Sequence, residues 1–516
     1  MLVLRASVVL LAFSAAWFVL RTIHWPLVGD ASLMHYVAFL IDHGKVPYRD
    51  IGEINLPGAF VPDWLVIHTL GGTALAWRVY DLFLLTVVVL AMICITRPVA
   101  WLAGIWAGLV FALIHGRDGL AQVGQRDLTV ATLLVCAVAA LLRGTQRRGI
   151  LAFWWFGLAV GAAATIKPVA IPFLLLAVPL LWEMRQRKQR AISSALAGIA
   201  GFLLPVGAAL GYLVQHGALV ALLHSEATLA RYHAGLGRRS LGFLLQHSFS
   251  PILPLAAIWL LLLMLALRGS GNDKVVEAGL AIKRRILWLA AALGLVGYIV
   301  QGKGYPYHRY TFIEFLLLIV AIDLDRMLRR RDWLRCASAV VLTAASVAFG
   351  AVSAWMAGNY DWRSAEFQTT LRADLDRIAA HGGAAGLSGR VQCLDTVAGC
   401  VNVLYNMQLQ QSSGLLYDEF LFHPAGAPAV DETRVSFLRE MWVNPPAVFV
   451  VSAPLFPAVT NDYGKLDQWP EFALWLKENY ILNVERMPVH PVRQGGPASV
   501  PAGYRIYVLR GFAPPD

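Results

Sequence analysis

Long apolar runs decide what this chain can fold into. Stretches near 2 to 21, 76 to 96, 98 to 114, 128 to 142, 149 to 165, 169 to 184, 191 to 214, 251 to 268, 286 to 301, 310 to 326 and 335 to 356 are each predominantly apolar. A bilayer core about 30 Å thick is crossed by about 20 such residues in a helix, so about eleven spans are predicted, with boundaries blurred at Pro98, Pro168 and Pro172. The fold class expected is mainly α, a polytopic helical bundle. Composition agrees: 58% of residues are hydrophobic, 15% are charged and the mean hydropathy is +0.59, far from a soluble globular domain. The net charge of +11 comes from Lys and Arg in short clusters between the runs. Membrane orientation accounts for such clusters, so no nucleic-acid partner is expected. Ser14-Ala15-Ala16 in the first run is a weak signal-cleavage site, but more spans follow, which favours an uncleaved helix.

Alternating sides from the first run places 143 to 148, 183 to 190, 268 to 285 and 326 to 335 together. All four are rich in Arg, which makes that side cytoplasmic by the positive-inside rule and puts the N-terminus inside. The opposite, external side then receives 22 to 75, 115 to 127, 165 to 168, 215 to 250, 302 to 309 and everything after about 357. Its loops mix Asp, Glu, His, Tyr, Lys and Arg, the mixture an anionic-substrate site needs. Residues 31 to 43 and 217 to 233 have helical apolar spacing and read as short helices in the membrane interface. After 357 the spans stop; helical patterns at 365 to 380, 433 to 442 and 468 to 480 alternate with the strand-like runs VQCLDT, AVFVVSAP and YRIYVLR. The expected organisation is a transmembrane domain over 1 to 356 and an extracytoplasmic α/β domain over 357 to 516. Cys94, Cys136 and Cys336 fall in apolar runs and read as core residues. Cys393 and Cys400 lie outside them and could pair in an oxidising compartment.

The most polar stretch between spans is 24 to 57, HWPLVGDASLMHYVAFLIDHGKVPYRDIGEINLPG. Its carboxylates and imidazoles are too costly to desolvate in lipid, so they belong at a membrane surface or in a wet cavity. WPLVGD after the first helix, GKVPYRDIGEINLPG, GQRD opening a later helix, IKP near the middle and KGYPYHRY before a late helix together resemble the GT-C superfamily of integral membrane glycosyltransferases. The chain is most similar to the bacterial relatives of the protein O-mannosyltransferase and lipid A aminoarabinose transferase branch, over roughly residues 1 to 350. That branch carries an acidic pair after the first helix, whereas here Gly29-Asp30 is followed by Ala31. The resemblance implies Asp30 as the catalytic base, and Asp127 as a supporting acid. It also matches Glu53 in EINLPG to an acidic residue before a Lys-Pro-Pro motif, with Ile54 where Lys would stand and Pro57 retained.

The chemistry can be argued without the resemblance. Moving a sugar from a polyprenyl phosphate to a hydroxyl needs a base for the acceptor proton and cations for the departing phosphate. Asp30, just past the external end of the first helix, suits the base, although an Asp in a turn after Gly29 is also an ordinary turn residue. Asp127 at a helix start is equally well explained as a cap. Lys167, Arg231, Lys303, His308 and Arg309 are candidate phosphate ligands, with Tyr305 and Tyr307 beside them as substrate contacts or as an aromatic belt. Lys167 stands out, because a charge between two apolar runs beside Pro168 is expensive without a partner; snorkelling is the alternative for it and for Arg231, Arg238 and Arg239. Glu53 with His224, Glu226 or His233 could bind a divalent cation, though the spacing is no recognised signature and none is required. Arg78 and Asp81, at i, i+3 spacing, read as a structural ion pair, and Arg117 and Asp118 as a pair within one loop.

No Walker A loop, GxGxxG turn, HExxH or GxSxG elbow occurs in a convincing context. Nucleotide hydrolysis and serine acyl transfer are therefore not expected, and the function that the resemblance implies is transfer of a sugar, with inversion, from a polyprenyl-phosphate donor to a glycan, lipid or protein acceptor on the external face of a bacterial inner membrane. A lipid-linked polysaccharide polymerase or ligase is the second enzyme reading. A lipid or solute transporter is the non-enzymatic one; one-sided clustering of ionisable residues and the lack of a visible inverted repeat weigh against it.

Overall fold

The structure is a computed structural model and describes residues 1–97, 100–144, 149–253, 255, 260, 274–329, 333–359, 364–382, 384–458, 463–487 and 502–512. Helices form where the apolar runs lie: Leu2–Thr22, Ala74–Thr96, Trp101–Asp118, Arg126–Gly144, Gly149–Ile166, Ala191–Gln215, Lys274–Gln301, Tyr310–Arg329 and Trp333–Gly358. The run at 169 to 184 is a 3-10 helix over Pro168–Leu176 that continues as an α-helix over Ala177–Gln186. Pro168 and Pro172 lack backbone donors, which accounts for the tighter winding. The run at 251 to 268 lies largely outside the described residues.

Among the described residues, 7 helices are long and apolar enough to cross a membrane, against about eleven spans expected by apolar length. The difference falls largely on Trp101–Asp118, Arg126–Gly144 and Tyr310–Arg329, which are helical but carry ionisable residues such as Arg117, Asp118, Asp127, Glu314, Asp323 and Asp325. Tyr310–Arg329 can carry them because nearly all its residues are buried within its bundle, where no lipid meets them.

The chain divides into two compact units, one made of Met1–His24, Arg78–Leu210 and Arg238–Tyr360, the other of Trp25–Trp77, Gly211–Gly237 and Asp361–Asp516. The first is a helical bundle. Leu2–Thr22 packs against Trp101–Asp118 and Trp333–Gly358. Gly149–Ile166 and Ala191–Gln215 approach so closely that a Cβ at Gly157 or Gly161 would collide with the backbone of Gly198 or Phe202, the small-residue contact typical of membrane helices. Outward positions such as Phe13, Leu20, Trp155, Ile192 and Leu196 expose large apolar side chains. Inside, Arg78 and Asp81 form the expected pair. Arg78 also donates to Thr22 Oγ1 at 2.6 Å, and Asp81 accepts from His115 Nε2 at 3.0 Å and from the Gly124 backbone N–H at 2.7 Å. That last bond ties the turn before Asp127 to the bundle core.

The second unit is built on a four-stranded sheet: β1 (Val391–Leu394), β2 (Val448–Ser452), β3 (Tyr480–Arg486) and β4 (Tyr504–Leu509), in the order β1-β2-β4-β3. β1 runs parallel to β2, with Val391 beside Val448; the other pairings are antiparallel, with Val450 beside Ile506 and Tyr480 beside Leu509. β2, buried at every residue, reads as a continuous apolar run, as a strand covered on both faces must. Helices Pro428–Val443 and Pro470–Asn479 bring Phe437, Met441, Phe472 and Leu476 onto Phe449, Trp469 and Tyr480. The sequence patterns anticipate β1, β2, β4 and the helices Ser364–Gly382, Pro428–Val443 and Pro470–Asn479. They miss β3, an edge strand whose YILNVER is mostly exposed and lacks an apolar run.

The helix over 31 to 43 differs from the expected interfacial one. Gly29–Asp42 belongs to this second unit and is buried on all sides from Ala31 to Leu40. His35 Nδ1 contacts Asp63 Oδ1 at 2.7 Å, and the Tyr36 hydroxyl donates to Leu409 O at 3.1 Å and accepts from Gln411 N at 2.7 Å. Its polar side chains thus find partners inside the unit, apart from His35 Nε2, which is buried with no hydrogen-bond partner among the described residues. The second expected helix forms without a break, as Leu219–Ser225, a π-helical stretch over Glu226–Ala230 and Arg231–Gly235.

Cys393 and Cys400 are disulfide-bonded across a sequence separation of 7. They bracket Asp395, whose carboxylate accepts the backbone N–H groups of Val397, Ala398, Gly399 and Cys400 at 2.8 to 3.1 Å. Replacing both cysteines with Ser is expected to destabilise this unit by about 2 kcal/mol, the loop-closure entropy of so short a ring. Denaturant unfolding followed by tryptophan fluorescence, with and without reductant, checks this: the wild type loses that stability on reduction and the double variant does not.

Candidate functional site

In the helical bundle a cluster of basic groups forms where three helices end. Arg126–Gly144 begins at Arg126 and Asp127, Gly149–Ile166 ends just before Lys167, and Lys274–Gln301 ends at Gln301. Lys167 Nζ donates to both carboxylate oxygens of Asp127 and to Gln301 Oε1, each at 2.8 Å. The lysine side chain is 18% exposed and Asp127 8%, so the pair sits at a rim and not in a sealed core. Lys167 Nζ also lies 5.9 Å from the centre of the Tyr307 ring. Tyr305, Tyr307 and His308 form a three-ring group with centroids 4.7 to 5.4 Å apart on the turn Pro306–Arg309.

The imidazole of His308 is buried. That burial, then the positive charges of Lys167, Lys303 and Arg126, hold its pKa well below the usual value. Its Nδ1 has no hydrogen-bond partner among the described residues. Three cationic side chains, Lys167, Lys303 and Arg126, therefore share one locality with the uncharged His308 imidazole and a single carboxylate, Asp127, among the groups named. Such an excess of positive charge at a partly wet site favours an anion.

Of the residues expected to contact substrate, Lys167, Lys303, Tyr305, Tyr307 and His308 come together here, joined by Asp127. Arg309 does not join them: it is buried, its Nη2 donates to Asp118 Oδ1 at 2.8 Å and its Nη1 to His247 O at 2.8 Å and Ser250 Oγ at 3.2 Å. Asp118 thus pairs with Arg309, while Arg117 lies over Phe349. Arg231 lies in the other unit and is exposed. Sequence reasoning gave no role to Arg126, which lies inside the GQRD motif, or to Gln301, which immediately precedes the loop opening with GKG. Arg238 and Arg239 also border that loop: Arg239 N donates to Gly302 O at 2.8 Å, and a Cβ at Gly302 would strike the Arg238 guanidinium.

The second unit holds the acidic candidates. Asp30 is in the first turn of Gly29–Asp42, half-buried, after Gly29 at φ +60. Glu53 is buried, and its Oε1 accepts from Ile54 N, Asn55 N and the Tyr417 hydroxyl at 2.8 to 2.9 Å and from Asn55 Nδ2 at 2.5 Å. Ser225 Oγ donates to the Glu53 carbonyl at 2.5 Å, which brings Glu226 alongside. Burial, then the Glu53 carboxylate, push the Glu226 carboxyl above its usual range, and burial followed by both carboxylates raises the Tyr48 phenol.

The cation site considered for Glu53, His224, Glu226 and His233 does not assemble. His224 Nε2 pairs with Glu432 at 2.9 Å and His233 Nδ1 with Glu419 at 2.8 Å, while Glu53 Oε1 is already occupied by N–H and O–H donors. Among the described residues, no group of three or more His, Cys, Asp or Glu side chains could hold a metal ion.

No family model and no curated protein matches the sequence. Solved structures do match the fold. Crystal structures of ArnT from Cupriavidus metallidurans, one bound to undecaprenyl phosphate and one in the apo state, align with TM-scores of 0.60 at 12% and 13% identity, covering 99% of this chain and 99% of theirs. The archaeal oligosaccharyltransferase AglB from Archaeoglobus fulgidus aligns with a TM-score of 0.49 at 11% identity. From end to end, then, this chain has the fold of these ArnT structures.

Proposed function

We propose that this protein is a membrane glycosyltransferase that moves a sugar from a polyprenyl-phosphate-linked donor to an acceptor hydroxyl on the external face of a bacterial inner membrane. The observation that carries the proposal is the basic cluster of Lys167, Lys303, His308 and Arg126, with Tyr305 and Tyr307 beside it. A phosphate ester of a long-chain lipid is an anion that such a rim suits. One protein with this fold, ArnT, has been crystallised with undecaprenyl phosphate, which supports assigning the same class of ligand here.

In the proposed step an acceptor oxygen attacks the anomeric carbon while the bond from that carbon to the phosphate oxygen breaks. The configuration inverts. Asp30 takes the acceptor proton, and polyprenyl phosphate leaves with the electron pair of the broken bond. Lys167 neutralises the charge that develops on the phosphate. All three of its donors are engaged, and Gln301, the neutral acceptor, is the partner a phosphate oxygen would replace. Asp127 fixes Lys167, and Glu53 holds the loop after Asp50 through Asn55 and Tyr417.

The test is transfer in proteoliposomes, with a panel of radiolabelled polyprenyl-phosphate sugars and a membrane glycolipid extract as acceptor. One donor is expected to be consumed, with stoichiometric release of polyprenyl phosphate that depends on acceptor. Movement of the intact lipid across the bilayer, with no cleavage of any donor, would sink the proposal in favour of a transporter.

A further inference from the structure

The helix that carries Asp30 has no local cap. Its N-cap residue, Val28, is extended at φ -144 and ψ 168 and offers no side-chain hydrogen bond. The turn before it is held from far along the chain instead. The carbonyl oxygen of Leu27 accepts from Gln368 Nε2 at 3.1 Å and from Asn402 Nδ2 at 3.1 Å. Gln368 stands on the helix Ser364–Gly382 and Asn402 on the helix Cys400–Asn406. Two amides from the C-terminal segment therefore meet on one carbonyl, three residues before the proposed base.

The Asn402 donor stands on a braced helix. The helix of Asn402 starts at the Cys393–Cys400 disulfide and the Asp395 turn. Gly399, at φ +98, leaves room for the Gln368 amide: a Cβ there would lie 3.3 Å from Nε2. Asn402 itself is 2% exposed, and its Oδ1 is buried with no hydrogen-bond partner among the described residues. A buried amide that leaves one end unmet costs stability that an apolar residue would not. What the amide gives in return is its N–H bond to Leu27.

We infer that Gln368 and Asn402 are positioning residues for Asp30, fixing the Leu27-Val28-Gly29 turn so that the base keeps its reactive geometry. This rests on the reading of Asp30 as base. The C-terminal segment is on this account part of the catalytic scaffold, in addition to any contact with acceptor. Turnover falls steeply with small displacements of a reacting group, on the order of 100-fold for about 1 Å.

The test uses the full-length protein with Gln368→Met and Asn402→Leu, singly and together; these keep side-chain volume and remove the donors. The double variant is expected to fold, to lose about 10- to 100-fold in kcat and to keep its KM for the donor within about 2-fold. In an Asp30→Asn background the same pair should cause no further loss, because residues acting through one group are not multiplicative. If the volume-preserving pair misfolds, Gln368→Glu with Asn402→Asp carries the same comparison. Normal turnover in a folded protein lacking both donors overturns the inference, as does a loss that multiplies with Asp30→Asn. Asp30→Asn turning over normally overturns instead the base on which the inference stands.

Discussion

Asp30→Asn is expected to lower kcat by about 10²- to 10⁴-fold, the usual contribution of a positioned base, while binding of the polyprenyl-phosphate donor stays within a few-fold of wild type. The substitution preserves shape and removes only the ability to hold the acceptor proton. An ordinary structural role cannot mimic this result. A carboxylate in the first turn of a helix, as Asp30 is, contributes about 0.3 to 1 kcal/mol through the helix dipole, and losing it would shift the melting point by a few degrees without touching turnover of the folded enzyme. Single-turnover transfer from a preformed donor complex, with donor affinity measured on the same preparation, separates the two. Wild-type rates from Asp30→Asn would move the base elsewhere, and Glu226, whose carboxyl is raised by burial and by Glu53, would be the next to replace.

How much of this was legible beforehand depended on how local each interaction is. Apolar runs declare helices because the signal lies within each stretch, so nearly every run that the structure describes proved helical. Their number as membrane spans is less legible, since Tyr310–Arg329 carries Glu314 and Asp323 inside a bundle that hides them from lipid. Lys167 was marked by a local anomaly, a charge beside Pro168 between apolar stretches, and its partner Asp127 by a helix start. Nothing local marks Gln301 as the third partner. Arg309 looked equivalent to its neighbour His308 in sequence, yet one turn of 3-10 helix sends it to Asp118 and His308 to the cluster. The helix Gly29–Asp42 read as a surface element because Ser32, His35 and Tyr36 interrupt its apolar residues. The hydroxyl and imidazole partners that allow its burial, Asp63, Leu409 and Gln411, are dispersed over nearly the whole chain.

Lys167→Met should reduce kcat/KM for the donor by about 10²- to 10³-fold, the scale of losing one preorganised group from a developing oxyanion. The difficulty is that Lys167 is also Asp127's partner. Removing one member of a mostly buried pair costs about 3 kcal/mol of stability, and that loss alone could be mistaken for a catalytic one. The double variant Lys167→Met with Asp127→Asn resolves it. It strands no charge, so stability should return to within about 1 kcal/mol of wild type, because replacing both members of such a pair is often near neutral. If Lys167 only satisfies Asp127, turnover returns as well. If Lys167 meets the phosphate, the double variant stays as slow as Lys167→Met, with its loss in kcat/KM and a weaker affinity for free polyprenyl phosphate. Lys167→Arg supplies the remaining contrast: it keeps the charge but presents it as a planar fork, so it should retain much of the lipid-phosphate affinity while recovering only part of the rate.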